Sequence, residues 1–262
     1  METYPNVSIL MPTFNRRKFL HLIMYNLKNM DYDKSKLEWC ILDDGKEPLF
    51  ENAEKLNEIK KELHPMKINY VYNKVKKHIG VKRNLLIKQA KYKIYIMMDD
   101  DDVYFPTYIK HSIDTLKGSK IGLVGSNHML FVYSTHNYNM AKIECSAKRQ
   151  IHEATMCFTK KYYNSMPGFQ KSSLGEGAKM IDHNEKNSAY TNINLSMICF
   201  CHNGNSFNKE QFYKYKTEIR IKNVEILKIL EEISGIKYIK DKPDTDDEDN
   251  VEDIDKSIEI TE

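Results

Sequence analysis

The sequence predicts an α/β fold with a central, mostly parallel sheet flanked by helices. Three observations predict it. Short apolar runs alternate with stretches of helical period through the first hundred residues. The runs are continuous rather than alternating, as in strands buried on both faces. A polar loop of distinctive chemistry follows each run.

The first strand is Val7 to Met11. Asn15 stands where it can cap a helix whose Phe19, Leu22, Ile23, Leu27 and Met30 share one face. Leu37 to Leu42 forms a second strand, residues 47–63 a helix and Ile68 to Tyr72 a third strand. A loop, a helix near 81–91 and a strand at 94–98 complete the alternation. Such alternation favours a parallel sheet, because each right-handed crossover lays the next strand beside an earlier one. Beyond Pro106 a helix to Lys117 is expected, then strands at 121–127 and near 129–134, 155–158 and 193–200. Residues 211–236 carry Ile221, Val224, Ile226, Leu227, Ile229, Leu230 and Ile233 at helical period, which predicts a packing helix ending near Gly235.

With 262 residues, 41% of them hydrophobic, the chain can bury a substantial core. No stretch approaches the roughly 18 uninterrupted apolar residues of a membrane span. The segment METYPNVSILMPTF lacks the basic start and apolar core of a signal peptide, so a cytoplasmic protein is expected. The five cysteines are never spaced as CxxC, which supports neither a disulfide framework nor a zinc knuckle. The net charge of +3 conceals a division. Residues 241–262 hold eleven acids against two lysines, the composition of a disordered tail, and the body before them is basic. Its lysines are scattered and no nucleic-acid-binding motif accompanies them, so a smaller phosphate compound is the expected partner.

In MMDDDD (97–102), four carboxylates follow directly on a strand. Adjacent carboxylates repel one another and take up protons unless something positive compensates. Ligands of parallel α/β sheets bind at the carboxyl ends of the strands. There the sequence puts PTFNR (12–16), DDG (43–45), KKHIGVKRN (76–84) and the aspartates. An aromatic ring, carboxylates and a basic segment together suit a nucleoside diphosphate with Mn²⁺ or Mg²⁺. Such cations take one or two protein carboxylates and complete their shell with phosphate and water. On extended backbone Asp99 and Asp101 would share a side, with Asp100 and Asp102 opposite.

PTFNR, DDG, GVKRN and DDDDVYFP, in that order and spacing, resemble the nucleotide-binding half of family-2-type glycosyltransferases with the GT-A fold. The resemblance covers roughly residues 5–205. It implies a nucleotide-sugar-binding half at 1–106 and an acceptor-binding, catalytic half of the same domain at 107–206. A helical segment (207–238) and the acidic tail (239–262) follow. Pro12, Thr13, Phe14 and Asn15 would line the nucleotide pocket and Asp44 would contact the base. Gly80, Arg83, Asn84, Asp99 and Asp100 would also lie at the nucleotide sugar. Asp99 and Asp101 would be the DxD pair, Asp101 ligating the metal, with His202 of CFCHNGNS able to join it. SLGEGAKMID (173–182) is similar to the family's acidic motif, with Glu176 as general base. The usual Glu-Asp or Asp-Asp is Glu-Gly here, which leaves Asp182 and Glu153 as rivals.

The resemblance implies metal-dependent, inverting transfer of a sugar to a hydroxyl of a glycan, lipid or protein-linked acceptor. Two other classes would use the same acids. A nucleotidyltransferase adds an early glycine-rich phosphate loop, which PTFNRRK lacks. A nucleotide-sugar-binding protein without turnover would keep DDG and DDDD while lacking a base. Peripheral membrane contact through the basic body is compatible with either reading.

Overall fold

The computed structural model describes residues 4–144, 151–181, 189–205 and 207–239. The acidic tail, Cys145 and Asp182 lie outside the described residues. Strands β1 (Val7–Thr13) and β2 (Leu37–Asp43) are buried along their whole length, as their mostly apolar residues favour, with Ser8 of β1 donating to Glu38 of β2. β3 (Lys67–Tyr72) lies at the sheet edge and is half-buried, and β4 (Ile94–Met97) is the short strand before the aspartates. Helices α1 (Leu20–Asn29), α2 (Ala53–Glu62) and α3 (Ile79–Gln89) make the crossovers.

After β5 (Val103–Tyr104) and α4 (Tyr108–Gly118) come β6 (Leu123–Gly125), β7 (His128–Tyr133) and β8 (Asn139–Glu144). Next are β9 (Cys157–Thr159), α5 (Lys160–Asn164) and α6 (Ala178–Ile181). The chain continues with β10 (Ala189–Tyr190), β11 (Met197–Cys201), β12 (Lys216–Thr217) and α7 (Val224–Ser234). The main sheet has the order β10-β6-β9-β4-β1-β2-β3. β4, β1, β2 and β3 are mutually parallel, whereas β9 runs antiparallel between β4 and β6. A second sheet, β12-β8-β7-β11-β5, covers one end.

This order creates the crevice. The chain moves from β1 outward to β2 and β3, then returns to place β4 on the other side of β1, so the connections leave β1 and β4 in opposite directions. Pairing of β1 with β4 stops at Leu10 opposite Met97. The Met98 amide still donates to the Leu10 carbonyl, so Pro12, two residues on, turns the same edge toward a strand that has ended. Its missing N–H therefore leaves no gap in the ladder.

Several expectations are corrected. Asn15 does not cap α1; a single 3-10 turn, Arg17–Phe19, precedes that helix. The helix foreseen at 47–63 begins at Ala53, where the Asn52 side chain accepts from the Lys55 amide. Only the second half of 211–236 is helical. Ile219 and Ile221 are buried at a spacing of two, in the extended stretch that follows β12, before Asn223 caps α7. β8, which pairs with β7 as a hairpin, was not anticipated. Cys40, Cys157, Cys199 and Cys201 are free and buried. Among the described residues, no helix is long and apolar enough to cross a membrane.

Candidate active site

The four loops meet at the mouth of the β1–β4 crevice. At the end of β1, Asn15 adopts the left-handed region (φ 55°), which asparagine tolerates better than most residues. Its Oδ1 accepts from the Lys46 amide at 2.7 Å, tying this loop to the turn after β2. Thr13 is buried, and its carbonyl accepts from Lys82 Nζ at 2.9 Å. Arg16 reaches across the crevice. Its Nε lies 3.3 Å from Asp100 Oδ1, and one terminal nitrogen donates to Asp101 Oδ2 at 3.1 Å and to the Gly204 carbonyl at 3.2 Å.

The turn after β2 is organised from within. Asp43 accepts from the Gly45 and Leu49 amides and from the Tyr70 hydroxyl. Asp44, expected to contact the base, is shielded from the crevice. Its carboxylate accepts from Lys82 Nζ at 2.7 Å and the Lys77 amide at 2.6 Å, so it fastens the loop before α3.

α3 presents basic side chains to the crevice, and two of its motif residues pack against the segment that leads to Glu176. Asn84 donates to the Phe169 carbonyl and accepts from the Phe169 amide and the Tyr163 hydroxyl. Gly80 permits close approach: an added Cβ would stand 1.9 Å from the Gln170 carbonyl oxygen and 2.9 Å from Glu176 Cβ. A glycine-to-alanine change inside a helix ordinarily stabilises. Gly80→Ala is expected to do the reverse, costing about 1–3 kcal/mol as overpacking does and displacing the 170–176 loop. Thermal unfolding checks the sign.

Arg83 is buried between two acids. Its Nε donates to Glu176 Oε1 at 2.9 Å and a terminal nitrogen to Asp99 Oδ1 at 3.2 Å. Beyond Asp99 the backbone turns instead of continuing extended, so the foreseen alternation fails. Asp99, Asp100 and Asp101 all line the crevice. Asp102 is buried, its carboxylate accepting from the Phe200 amide at 3.0 Å and its carbonyl from Asn26 Nδ2 at 2.8 Å, and it lines a neighbouring cavity.

The charge of the run collects at Asp101. Burial, and then the negative charge of Asp101, push the Asp100 and Asp102 carboxyls well above the usual carboxylate range. Burial also opposes the charge on Asp101. The His202 hydrogen bond and the positive charges of Lys209 and Arg16 outweigh it and hold that carboxyl below its ordinary value. Lys209 is anchored by donating to Cys199 Sγ at 2.7 Å.

His202 was expected as a metal ligand. Its Nδ1 accepts from the Gly204 amide at 3.0 Å, which leaves Nε2 as the donor to Asp101 Oδ2 at 3.2 Å. In that tautomer Nε2 carries the proton, and His202 orients Asp101. Among the described residues no group of three or more His, Cys, Asp or Glu side chains forms a metal cage. Asp99 and Asp101 line the same crevice, and each keeps one carboxylate oxygen that accepts no hydrogen bond among the described residues. That pair fits a hard divalent cation whose remaining ligands come from phosphate and water.

Two cavities share this wall. The larger, about 390 Å³, is lined by Pro12, Phe14, Asn15 and a basic set that includes Arg16, Lys76 and Lys82. The other, about 230 Å³, holds Glu153, Glu176 and Lys209. Arg83, Asp99 and Asp101 line both. Lys76 Nζ stands 4.3 Å from the Phe14 ring centroid. Arg16, Lys82 and Lys209 were not singled out from the sequence. The first two lie inside PTFNR and GVKRN, whereas nothing around Lys209 distinguishes it from other lysines.

The model of glycosyl transferase family 2 matches residues 8–174, ending just before Glu176. No curated protein sequence matches the chain. Among solved structures, the mannosyltransferase PcManGT from Pyrobaculum calidifontis, in complex with GDP-Man and Mn²⁺, aligns with a TM-score of 0.58 at 15% identity, covering 81% of this chain and 60% of that one. S. aureus TarS 1–349 in complex with UDP-GlcNAc gives 0.57 at 15% identity, covering 80% and 64%. A further S. aureus TarS structure gives 0.56 at 15% identity, covering 75% of this chain but 37% of that one. The chain therefore spans between 37% and 64% of the length of these neighbours. The parallel core, the crevice between β1 and β4, and a family match over most of the chain lead to one conclusion: this chain belongs to glycosyl transferase family 2 and has the GT-A fold.

Proposed function

We propose that the protein transfers a sugar from a nucleoside diphosphate donor to a hydroxyl of a glycan, lipid or protein-linked acceptor, with inversion at the anomeric carbon. The observation that carries this reading is the shared wall. Arg83, Asp99 and Asp101 separate a basic cavity from one lined by the carboxylates of Asp102, Glu153 and Glu176. The basic cavity suits a nucleoside diphosphate, with Phe14 and Pro12 offering apolar surface to the base and Arg16 and Lys76 offering positive charge to the phosphates. Related structures hold GDP-Man and UDP-GlcNAc, donors of this class. A cation on Asp99 and Asp101, Mn²⁺ or Mg²⁺, would neutralise charge on the leaving diphosphate. The second cavity suits the acceptor, whose hydroxyl would face the sugar opposite the departing phosphate.

Screening UDP-, GDP- and dTDP-sugars for thermal stabilisation, with and without Mn²⁺, tests the donor side. A donor at a hundred times its Kd adds about 2.7 kcal/mol to stability. One donor class is expected to raise the melting temperature, and more so with Mn²⁺. No stabilisation by any of them would overturn the reading. Binding without turnover is favoured by one observation: Glu176 is already committed to Arg83. It would describe the protein only if no other carboxylate could act as base.

A further inference from the structure

From the packing around Gly177 we infer that Glu153, and not Glu176, is the group that deprotonates the acceptor hydroxyl. This rests on the sugar-transfer reading above.

Glu176 is tied into the wall by Arg83. Its Oε1 accepts from Arg83 Nε at 2.9 Å, the side chain is only 6% exposed, and its Cβ is packed against Gly80. It forms one of the two ion pairs that compensate a buried guanidinium, the other being with Asp99. Glu176 is therefore a positioning residue, fixing Arg83 in the wall between the cavities.

Glu153 opens a 3-10 turn, Glu153–Thr155, that leads directly into β9, so its backbone is set by the main sheet. It lines the same cavity as Arg83, Asp99, Asp101 and Glu176. Among the described residues its carboxylate accepts one hydrogen bond from another residue, to Oε1 from the Gly177 amide at 3.3 Å, and its own amide also leans toward it. Oε2 is left for a hydroxyl.

The glycine explains how the carboxylate fits. A Cβ at residue 177 would stand 2.7 Å from Glu153 Cγ and 3.2 Å from its Oε1. Any side chain there would expel Glu153, so the space beside position 177 is filled by an acid from another part of the chain. Burial, and then the negative charge of Glu176, raise the proton affinity of Glu153, against the opposing charge of Arg83. A base needs that affinity.

The step balances. The acceptor oxygen forms a bond to the anomeric carbon as the bond from that carbon to the diphosphate oxygen breaks, the electron pair leaving with the nucleoside diphosphate. The hydroxyl proton passes to Glu153 Oε2 and from there to solvent.

The test uses the full chain with Mn²⁺ and whichever of the UDP-, GDP- and dTDP-sugars stabilises it, measuring donor affinity and release of nucleoside diphosphate with water as acceptor. Glu153→Gln is expected to lower release by at least about a hundredfold while donor affinity stays within about twofold, as a base that does not bind the donor requires. Glu153→Ala, with added formate, is expected to regain part of the rate, which a structural role would not produce. Glu176→Gln is expected to weaken donor binding by releasing Arg83. If the donor binds and Glu153→Gln releases nucleotide at nearly the wild-type rate, or formate restores nothing to Glu153→Ala, this assignment falls while sugar transfer stands. If the wild type binds donor but releases no nucleotide, no base is at work and the assignment also falls. If no donor binds the wild type, both readings fall.

Discussion

Asp101→Asn is expected to abolish Mn²⁺-dependent donor binding while leaving the fold intact. Asp101 is where the charge of the four-aspartate run collects, drawn there by His202, Lys209 and Arg16. Asparagine keeps the shape and can still accept from His202 Nε2, so the surrounding contacts persist without the charge. The expected loss in Mn²⁺-dependent affinity is on the order of a hundredfold, about 2.8 kcal/mol. Calorimetric titration of the donor with and without Mn²⁺ reads it directly. Wild-type metal dependence in the variant would defeat the assignment of Asp101 as a ligand. Asp102→Asn should act differently, because Asp102 accepts from the Phe200 amide inside the second sheet and does not line the larger cavity. Its effect should fall on stability.

Lys82→Met should be among the most destabilising single changes in the crevice. Lys82 and Asp44 form an ion pair at 2.7 Å with side chains 4% and 0% exposed, and Lys82 also donates to the Thr13 carbonyl. Removing the cation strands Asp44 in a place where water cannot replace it. Breaking a buried pair from one side costs about 3–5 kcal/mol, a fall in melting temperature on the order of 10 °C for a chain of this size. The cause can be separated from lost packing. In the Lys82→Met background, Asp44→Asn removes the stranded charge and keeps an acceptor for the Lys77 amide, so most of the loss should be recovered. A single variant that loses less than about 1 kcal/mol would show that the pair contributes little.

The asymmetry between what was legible and what was not has a physical origin. β1, β2 and β4 were found because burial on both faces demands a continuous apolar run, and such a run is a local property. Gly235 was found as the end of α7 for the same reason, since a left-handed cap (φ 73°) is a demand on one residue. The aspartates at a strand end and the basic loop before α3 were visible as residue types in a position that parallel sheets use for ligands. The helix predicted from residue 211 failed where a spacing of two, Ile219 and Ile221, lay inside a longer pattern read at helical period. β8 failed because its pairing with β7 is a contact and not a composition.

Within the site, the chemistry of each side chain could be named from the sequence, but not its partner. Asp44 was legible as an acid after β2, yet whether it meets a base or a lysine depends on α3 laying Lys82 across the end of β1. Arg83 and Glu176 are 93 positions apart, and Asp101 and His202 are 101 apart. Each pair exists only because the sheet order returns β4 to the side of β1. The tertiary structure alone decided that Asp101 is the one of four neighbouring aspartates whose proton affinity is lowered. A carboxylate's proton affinity is set by burial, hydrogen bonds and the charges around it, and here the hydrogen bond comes from His202 and the charges from Lys209 and Arg16, all distant in sequence from the aspartates.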